Sequence, residues 1–322
     1  MHPGVEQKLL KLTNAQVCEH LHTIQSLWSG YGTIARYQLD GSSANTVVVK
    51  HIAATPSTQH PRGWNTSTSH NRKVRSYEVE TYWYKHWSKQ CPKTARIPEH
   101  IGTFNEGDDI YLVLEDLNHS FPLRKQEVRL SEVKTCLDWL AHFHMNFMQH
   151  KPTGLWDIGT YWHLDTRPDE FELIENKELK AKARRIDEVL NNCKFKTLVH
   201  GDAKLANFCF STDGQHVAAV DFQYVGGGCG MKDVAYFLGS CLSSEECEVY
   251  EAELLDHYFH TLHQAYLQQD HDFEFEALTT EWRQMYTIAW TDFTRFLLGW
   301  MPTHQKLHGY SLRLMNQVLA SL

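Results

Sequence analysis

Two acidic residues and an asparagine near the middle of the chain are spaced as a magnesium-dependent phosphotransferase needs them. Asp202 follows the apolar run 198–199, Asn207 lies five residues later, and Asp221 follows the next apolar run. Transfer of a γ-phosphoryl group needs a carboxylate to receive the acceptor's proton, and oxygen ligands to hold Mg²⁺ against the phosphates. We therefore predict Asp202 as the catalytic base and Asn207 and Asp221 as metal ligands.

A short hairpin is predicted to bring these residues together. The apolar runs 208–210 and 217–220 are separated by a segment that contains Asp213-Gly214, a frequent hairpin turn. Such a hairpin returns Asp221 to the side of Asn207. A His-Gly-Asp triplet by itself is more often a simple turn, so the prediction depends on this surrounding pattern.

The same stretch resembles the aminoglycoside phosphotransferase and choline kinase superfamily, whose signature is His-Gly-Asp, four residues and Asn. The triplet Asp221-Phe-Gln is similar to its ecdysteroid-kinase-like branch, also called CHK-kinase-like, from about Leu27 to about Tyr310. The resemblance implies an α+β, protein-kinase-like bilobal fold, with a small β-rich lobe that has one main helix and a larger, mostly helical lobe. It also implies ATP and Mg²⁺ as cofactors and a hydroxylated small molecule as acceptor: choline/ethanolamine-like, aminoglycoside-like or sterol-like.

Lys204 departs from that superfamily and resembles the catalytic loop of protein kinases, where a lysine at this position contacts the γ-phosphate. The resemblance implies that Lys204 neutralises charge at the transition state. The alternative is that Lys204 is a solvated lysine of the loop. A protein kinase is disfavoured because Gly201 stands where its loop has arginine and no Ala-Pro-Glu follows Asp221.

A lysine for the nucleotide phosphates is predicted upstream. Residues 46–52 form a β-branched run that contains Lys50, and such a strand can present an ammonium to the α- and β-phosphates. The following segment has the apolar spacing of an amphipathic helix, with Val79, Trp83 and Trp87 on one row. Glu80, four residues before Tyr84 as in the Glu-x-x-x-Tyr pattern of the family, is the favoured partner of Lys50. Glu78 remains the alternative.

Two further segments are assigned to the nucleotide. A glycine-containing hairpin at 27–34 places backbone N–H groups where phosphate oxygens could approach, at Ser29, Gly30, Tyr31 and Gly32. The apolar strand 110–114 ends in acids and resembles the hinge whose backbone pairs with adenine. The resemblance thus assigns main-chain contacts with adenine to Glu115 and Leu117.

Composition restricts the partners without identifying one. The chain of 322 residues is 42% hydrophobic and carries a formal charge of −8, with 31 basic and 39 acidic side chains. It has no basic stripe, which argues against a nucleic-acid partner. Eight cysteines without a Cys-x-x-Cys pair predict reduced thiols in a cytoplasmic protein, and neither a secretory signal nor a membrane span is expected.

The predicted organisation is a nucleotide-binding lobe at 1–117 and a catalytic and acceptor-binding lobe at 118–322. Ala54 to Arg72 is polar and aperiodic, so we predict a mobile loop there. The glycine run 226–228 is predicted to be another flexible segment.

The acceptor site is predicted from aromatic and acidic residues near the carboxy terminus: Trp290, Asp292 and Phe293. An aromatic face there could hold a cation. The sequence favours an active small-molecule kinase. The alternative is a catalytically silent nucleotide-binding protein of the same fold, with a regulatory or scaffolding role.

Overall fold

The computed structural model describes residues 3–27, 30–54 and 67–322. The chain divides into two compact units: unit 1 contains residues 1–90 and 97–120, and unit 2 contains 91–96 and 121–322. An antiparallel sheet dominates unit 1 and helices dominate unit 2, so the predicted α+β, kinase-like fold class is confirmed.

Unit 1 is built on a five-stranded antiparallel sheet in the order β1-β2-β3-β5-β4. Its strands are β1 (Val17–Ser26), β2 (Gly32–Asp40), β3 (Thr46–Ile52), β4 (His100–Glu106) and β5 (Asp109–Glu115). The alternating valines of β3 pack under helix α1 (Pro3–Thr13), where Val47 and Val49 join Val5 and Leu9 in one core cluster. This packing fixes the register of β3, because a slip of one residue would turn its valines away from the core.

Helix α2 (Ser67–Tyr82) also belongs to unit 1 and continues into a π-helical turn, Trp83–Trp87. The predicted loop from Ala54 to Arg72 is therefore wrong for residues 67–72, which form the first turns of α2. Residues 55–66 lie outside the described part of the chain. The polar composition of 67–72 hid the helix, because its first turns carry no apolar stripe and apolar periodicity is the main signal for a helix.

Unit 2 consists mainly of helices. They are α3 (Leu130–Asn146), α4 (Pro168–Glu172), α5 (Lys177–Asn191), α6 (Met231–Cys241), α7 (Ser244–Tyr266), α8 (Phe275–Trp300) and α9 (Gly309–Ser321). Four short strands make two ladders: β6 (Thr197–Val199) pairs with β9 (Gly226–Gly228), and β7 (Phe208–Phe210) pairs with β8 (Val217–Ala219). The segments between these strands carry the residues predicted for catalysis.

The glycine run 226–228 forms strand β9 and is fully buried, so the prediction of a flexible segment is wrong. These glycines allow another stretch of backbone to lie against them. A Cβ atom at Gly226 would lie 2.3 Å from the carbonyl oxygen of Trp156, and one at Gly227 would lie 2.7 Å from that of Asp157. Absence of side chains here allows close packing rather than mobility.

Among the described residues, no helix is both long enough and apolar enough to span a bilayer. All eight cysteines carry free thiols, and six of them are buried.

Candidate active site

The loop that carries Asp202 is held by a buried carboxylate at the start of α6. Asp233 accepts hydrogen bonds from the backbone N–H of His200 at 2.5 Å and of Gly201 at 2.9 Å. The ring of His144, on α3, contacts the same carboxylate through Nε2 at 3.1 Å. Gly201 has a φ of 79°, and a Cβ atom there would lie 2.0 Å from the carbonyl oxygen of Tyr224. Glycine is therefore required at the residue before Asp202.

His200 orients the loop from within. Its Nδ1 accepts the N–H of Asp202 at 3.2 Å, so its Nε2 carries the proton and donates to the carbonyl oxygen of Val220 at 3.0 Å. One imidazole thus ties the backbone of Asp202 to the end of the β7–β8 hairpin. In the His-Gly-Asp signature, His200 therefore orients the loop, Gly201 adopts the left-handed turn, and Asp202 supplies the carboxylate.

Both carboxylate oxygens of Asp202 have donors. Tyr236, on α6, donates to Oδ1 at 3.1 Å, while Lys204 and Asn207 approach Oδ2 at 2.9 and 3.1 Å. Burial raises the pKa of Tyr236 well above its ordinary value, so its phenol stays protonated and donates. The side chain of Asp202 is 8% exposed. A carboxylate fixed from two sides keeps a defined orientation, as a general base requires.

Asn207 is oriented so that its amide oxygen remains available. Its Nδ2 donates to the backbone oxygen of Asp202 at 2.8 Å as well as to Oδ2. Since both partners are acceptors, the network assigns the amide nitrogen to this side. Within the described chain, the opposite Oδ1 accepts no hydrogen bond. The backbone oxygen of Asn207 accepts the N–H of Val220 at 3.0 Å, and Asp221 comes next, with a φ of 71°.

The hairpin therefore brings the backbone of Asn207 beside Val220, the residue before Asp221, as predicted from the Asp-Gly turn. An amide oxygen and a carboxylate suit Mg²⁺, so the donor set fits the implied metal. The assignment of Asn207 and Asp221 as its ligands stays a prediction.

Lys204 interacts electrostatically with both predicted functional acids. Burial disfavours its ammonium, but the carboxylates of Asp202 and Asp221 outweigh that effect and raise the pKa of Lys204. Its side chain is 38% exposed and donates to Asp202. The lysine is therefore charged and lies within the field of both predicted functional acids.

In unit 1, Lys50 and Glu80 form a buried ion pair. The Nζ atom of Lys50 lies 2.5 Å from Oε2 of Glu80, and the two side chains are 5% and 3% exposed. Glu78 instead faces Arg75 at 3.4 Å on the exposed side of α2. The favoured partner of Lys50 is therefore the observed one, while its contact with nucleotide phosphates stays a prediction.

Close packing and backbone conformation explain the glycines of the hairpin in unit 1. A Cβ atom at Gly32 would lie 2.1 Å from the carbonyl oxygen of His51. Tyr31 is buried in a cluster with Leu27, Ile52 and Tyr77, so only its backbone could meet a phosphate. Gly30 has a φ of 73° and donates its N–H to the Leu27 carbonyl at 3.2 Å. Ser29 lies outside the described residues.

The segment predicted for adenine follows β5. The N–H of Glu115 donates to the carbonyl of Glu99 at 2.9 Å, and the carbonyl of Leu117 accepts the N–H of Ser120 at 3.1 Å. Between them, Asp116 accepts from Arg36 at 2.6 Å and from Thr46 at 2.7 Å. Burial opposes ionisation of Asp116, but its hydrogen bonds prevail and lower its pKa. Asp116 thereby anchors the end of β5 to β2 and β3, which sequence reasoning missed.

The three residues predicted for the acceptor separate in the structure. Asp292 is fully buried, pairs with Arg295 at 2.9 Å and accepts from the indole of Trp162 at 3.0 Å. Trp290 is 3% exposed and donates to Oγ of Ser311 at 2.9 Å. These contacts favour structural roles for both. Phe293 alone packs against Tyr236, with ring centroids 4.8 Å apart, and thereby lies next to the tyrosine that contacts Asp202.

Sequence reasoning also missed Asp233, Tyr236 and His144. Asp233 contacts the loop across 33 residues of sequence, and Tyr236 contacts Asp202 across 34. No local spacing reports contacts of this range. One feature of the local sequence points to Asp233 and Tyr236: both lie on the first turns of a helix that begins shortly after Asp221.

Comparisons with known proteins bear on the fold. A family model, DUF1679, described as "Uncharacterized oxidoreductase dhs-27", matches residues 164–299, and that family is related to the ecdysteroid-kinase-like proteins. No curated protein matches the chain. An ethanolamine kinase from Plasmodium vivax is 11% identical with a TM-score of 0.50, over 94% of this chain and 82% of that one.

Two other similar structures are small-molecule kinases. Amicoumacin kinase hAmiN is 14% identical, with a TM-score of 0.48 over 100% of this chain and 95% of that one. A microcompartment-associated aminopropanol kinase is 14% identical, with a TM-score of 0.45 over 99% and 94%. At 11% identity, the likeness to the ethanolamine kinase shows the fold of this chain.

Proposed function

We propose that this protein is an ATP- and Mg²⁺-dependent kinase that transfers the γ-phosphoryl group to a hydroxyl of a small molecule. The observation that carries the proposal is the orientation of Asn207. Its amide nitrogen donates to Asp202, so its amide oxygen is left available as a ligand. The proposed base and the two proposed metal ligands thus lie within one short loop and one hairpin.

Each residue has a separate task in this proposal. Asp202 receives the proton of the acceptor hydroxyl. The acceptor oxygen forms a bond to the γ-phosphorus, while the bond between the γ-phosphorus and the bridging oxygen of the β-phosphate breaks, which releases ADP. Lys204 neutralises charge on the transferred group. Lys50, oriented by Glu80, binds the α- and β-phosphates. The metal, when bound to Asn207 and Asp221, supplies positive charge to the phosphate oxygens.

A donor must leave Asp202 before that carboxylate can accept a proton efficiently. Lys204 and Asn207 share one oxygen, whereas Tyr236 contacts the other. A bound γ-phosphate would compete for Lys204 and draw its ammonium away from Oδ2. The base would then gain basicity only when the nucleotide is present.

A catalytically silent nucleotide-binding protein is the second candidate, and an intact Asp202 argues against it. The oxidoreductase description of the matching family model finds no support here. The one Gly-x-Gly-x-x-Ala match, at residues 30–35, leads into strand β2 rather than into a helix, and the sheet of unit 1 is antiparallel, unlike the parallel sheet of a dinucleotide-binding domain.

Thermal unfolding with and without MgATP tests the nucleotide assignment. Ligand bound to the native state stabilises it by about 2.7 kcal/mol at a hundredfold excess over Kd, so the melting temperature should rise. The rise should need both ATP and Mg²⁺, and EDTA should abolish the part that depends on the metal. An unchanged melting curve at saturating MgATP would contradict the proposal.

Two carboxylate variants then separate a kinase from a silent relative. Asp202→Asn should keep the MgATP-dependent rise in melting temperature and lower ADP release in a screen of hydroxylated metabolites by roughly 10²–10⁴-fold. Asp221→Asn should weaken the Mg²⁺-dependent binding itself. Equal loss of binding in both variants would make Asp202 a metal ligand, and wild-type protein that binds MgATP but phosphorylates nothing would favour the silent protein.

A further inference from the structure

Lys306 places a second ammonium group beside the proposed base. It lies in the segment 301–308 between α8 and α9, with Nζ 4.8 Å from the centroid of the Tyr236 ring and 5.6 Å from that of Phe293. The hydroxyl of Tyr236 donates to Asp202 at 3.1 Å. The ammonium of Lys306 therefore lies over the ring of the tyrosine that donates to Asp202 and over the neighbouring ring of Phe293.

The position of Lys306 is built into the fold. Its carbonyl oxygen accepts from Oγ of Ser311 at 2.8 Å, and the same Oγ accepts from the indole of Trp290 at 2.9 Å. Its backbone N–H donates to Nδ1 of His304 at 3.1 Å. Trp290 thus supports the segment that presents Lys306.

The ammonium itself lacks a close anion. Across the described ranges 3–27, 30–54 and 67–322, no side chain or carbonyl forms a hydrogen bond or ion pair with Nζ of Lys306. Burial lowers the pKa of Lys306 to about 8, with Asp202 and Cys241 opposing the shift and Lys204 adding to it. Removing a charge from water without a partner costs free energy, and an anionic ligand would recover part of that cost.

We infer that Lys306 determines acceptor specificity: it excludes cationic acceptors and pairs with an anionic group of the hydroxylated acceptor. The inference rests on the proposed kinase function and narrows its substrate class. A cationic acceptor would have to occupy aromatic faces that Lys306 already covers, and it would meet Lys204 nearby. A carboxylate or phosphate on the acceptor would instead complete an ion pair and leave a hydroxyl to face Asp202.

Amine labelling of Lys306 tests the site directly. The wild-type protein is treated at pH 8 with a neutral N-hydroxysuccinimide ester, and labelling is followed by peptide mass spectrometry. The probes are glycolate, 2-methoxyethanol and choline, at matched ionic strength. Each carries one hydroxyl on a two-carbon unit, the three differ in charge, and none has an amine that would consume the ester. Lys194, exposed and 5.0 Å above the Phe195 ring, is the internal control.

An anionic probe should slow labelling of Lys306 several-fold more than the neutral and cationic members of its set, and Lys194 should be unaffected. MgATP alone should protect Lys306 less than the anionic probe does. Protection by a cationic probe equal to that by its anionic partner would overturn the inference. So would protection by no anionic probe, or by MgATP only, which would make Lys306 a nucleotide contact.

Kinetics provide the second measurement. With any acceptor pair that releases ADP, Lys306→Met should lower the ratio of kcat/KM for the anionic over the cationic member by roughly tenfold, and Lys306→Glu should reverse the preference. Lys194→Met should leave the ratio unchanged. Wild-type ratios in Lys306→Met would refute the inference. If MgATP does not bind at all, the kinase proposal fails while the labelling result still decides whether Lys306 binds an anion.

Discussion

Asp233→Asn is expected to disorder the loop that carries Asp202. The carboxylate is fully buried and receives the N–H groups of His200, Gly201 and the His144 ring at 2.5, 2.9 and 3.1 Å. An asparagine keeps one acceptor oxygen and turns the other into an NH₂ group. That group would face a donor, because each backbone N–H uses a different oxygen of Asp233.

The magnitude follows from these contacts. A hydrogen bond to a charged group contributes about 1.5–3 kcal/mol, and a buried donor left without an acceptor costs about 1–3 kcal/mol. One lost acceptor and the weakening of the remaining bonds to a neutral oxygen therefore sum to about 3–5 kcal/mol. This is a large fraction of the roughly 5–15 kcal/mol that stabilises a folded domain. Since His200 and Gly201 precede Asp202 directly, its carboxylate would lose its orientation and turnover would fall with stability.

Hydrogen exchange at individual amides is the assay that separates this local effect from general destabilisation. The amides of His200 and Gly201 should lose protection in Asp233→Asn by more than the amides of α5 do. Tyr258→Phe is the matched control, because it removes only the hydroxyl that contacts Nδ1 of His144 at 2.7 Å. It should cost about 1 kcal/mol and leave the loop protected. Unchanged protection at His200 and Gly201 in Asp233→Asn would refute the assigned role of the carboxylate.

Local contacts are the part of the site that the sequence could predict. Asn207 reaches Asp202 across five residues, and the β7–β8 hairpin needs only two apolar runs and an Asp-Gly turn. Contacts at such short range can be predicted from the spacing of the residues in the sequence. The β-branched run around Lys50 is likewise sufficient to predict strand β3, because its valines suit a half-buried pleated surface.

Contacts between distant segments could not be predicted in this way. The glycine run 226–228 has the composition of a mobile loop, and only the proximity of Trp156 shows why side chains are excluded. Helical periodicity marks Trp290, Asp292 and Phe293 as inward-facing but does not separate a core from a pocket. In the structure Asp292 neutralises a buried arginine, whereas Phe293 approaches the site through Tyr236.

Two further predictions concern buried carboxylates. Glu80→Gln should destabilise unit 1 by about 3–5 kcal/mol in urea unfolding, because it removes the carboxylate that faces the charge of Lys50 where the two side chains are 5% and 3% exposed. Glu78→Gln alters an exposed pair and should change the free energy of unfolding by less than about 1 kcal/mol. Equal effects of the two substitutions would contradict the assignment of Glu80 as the partner of Lys50. Glu132 should make stability fall in acid. Burial would raise its pKa, but hydrogen bonds from Arg129 and Lys125 prevail and lower it to about 2 from an ordinary value of 4.5. A lowered folded-state pKa stabilises the protein above about pH 4.5, and that stabilisation is lost as the pH falls towards 2. The shift corresponds to at most about 3 kcal/mol, and about 1–2 kcal/mol is expected because the side chain of Arg129 is 72% exposed and screened by solvent. Glu132→Gln should therefore be less stable than wild type by that amount at pH 7 in urea unfolding, and the two curves should converge near pH 2; a difference that persists there would assign the loss to packing rather than to charge.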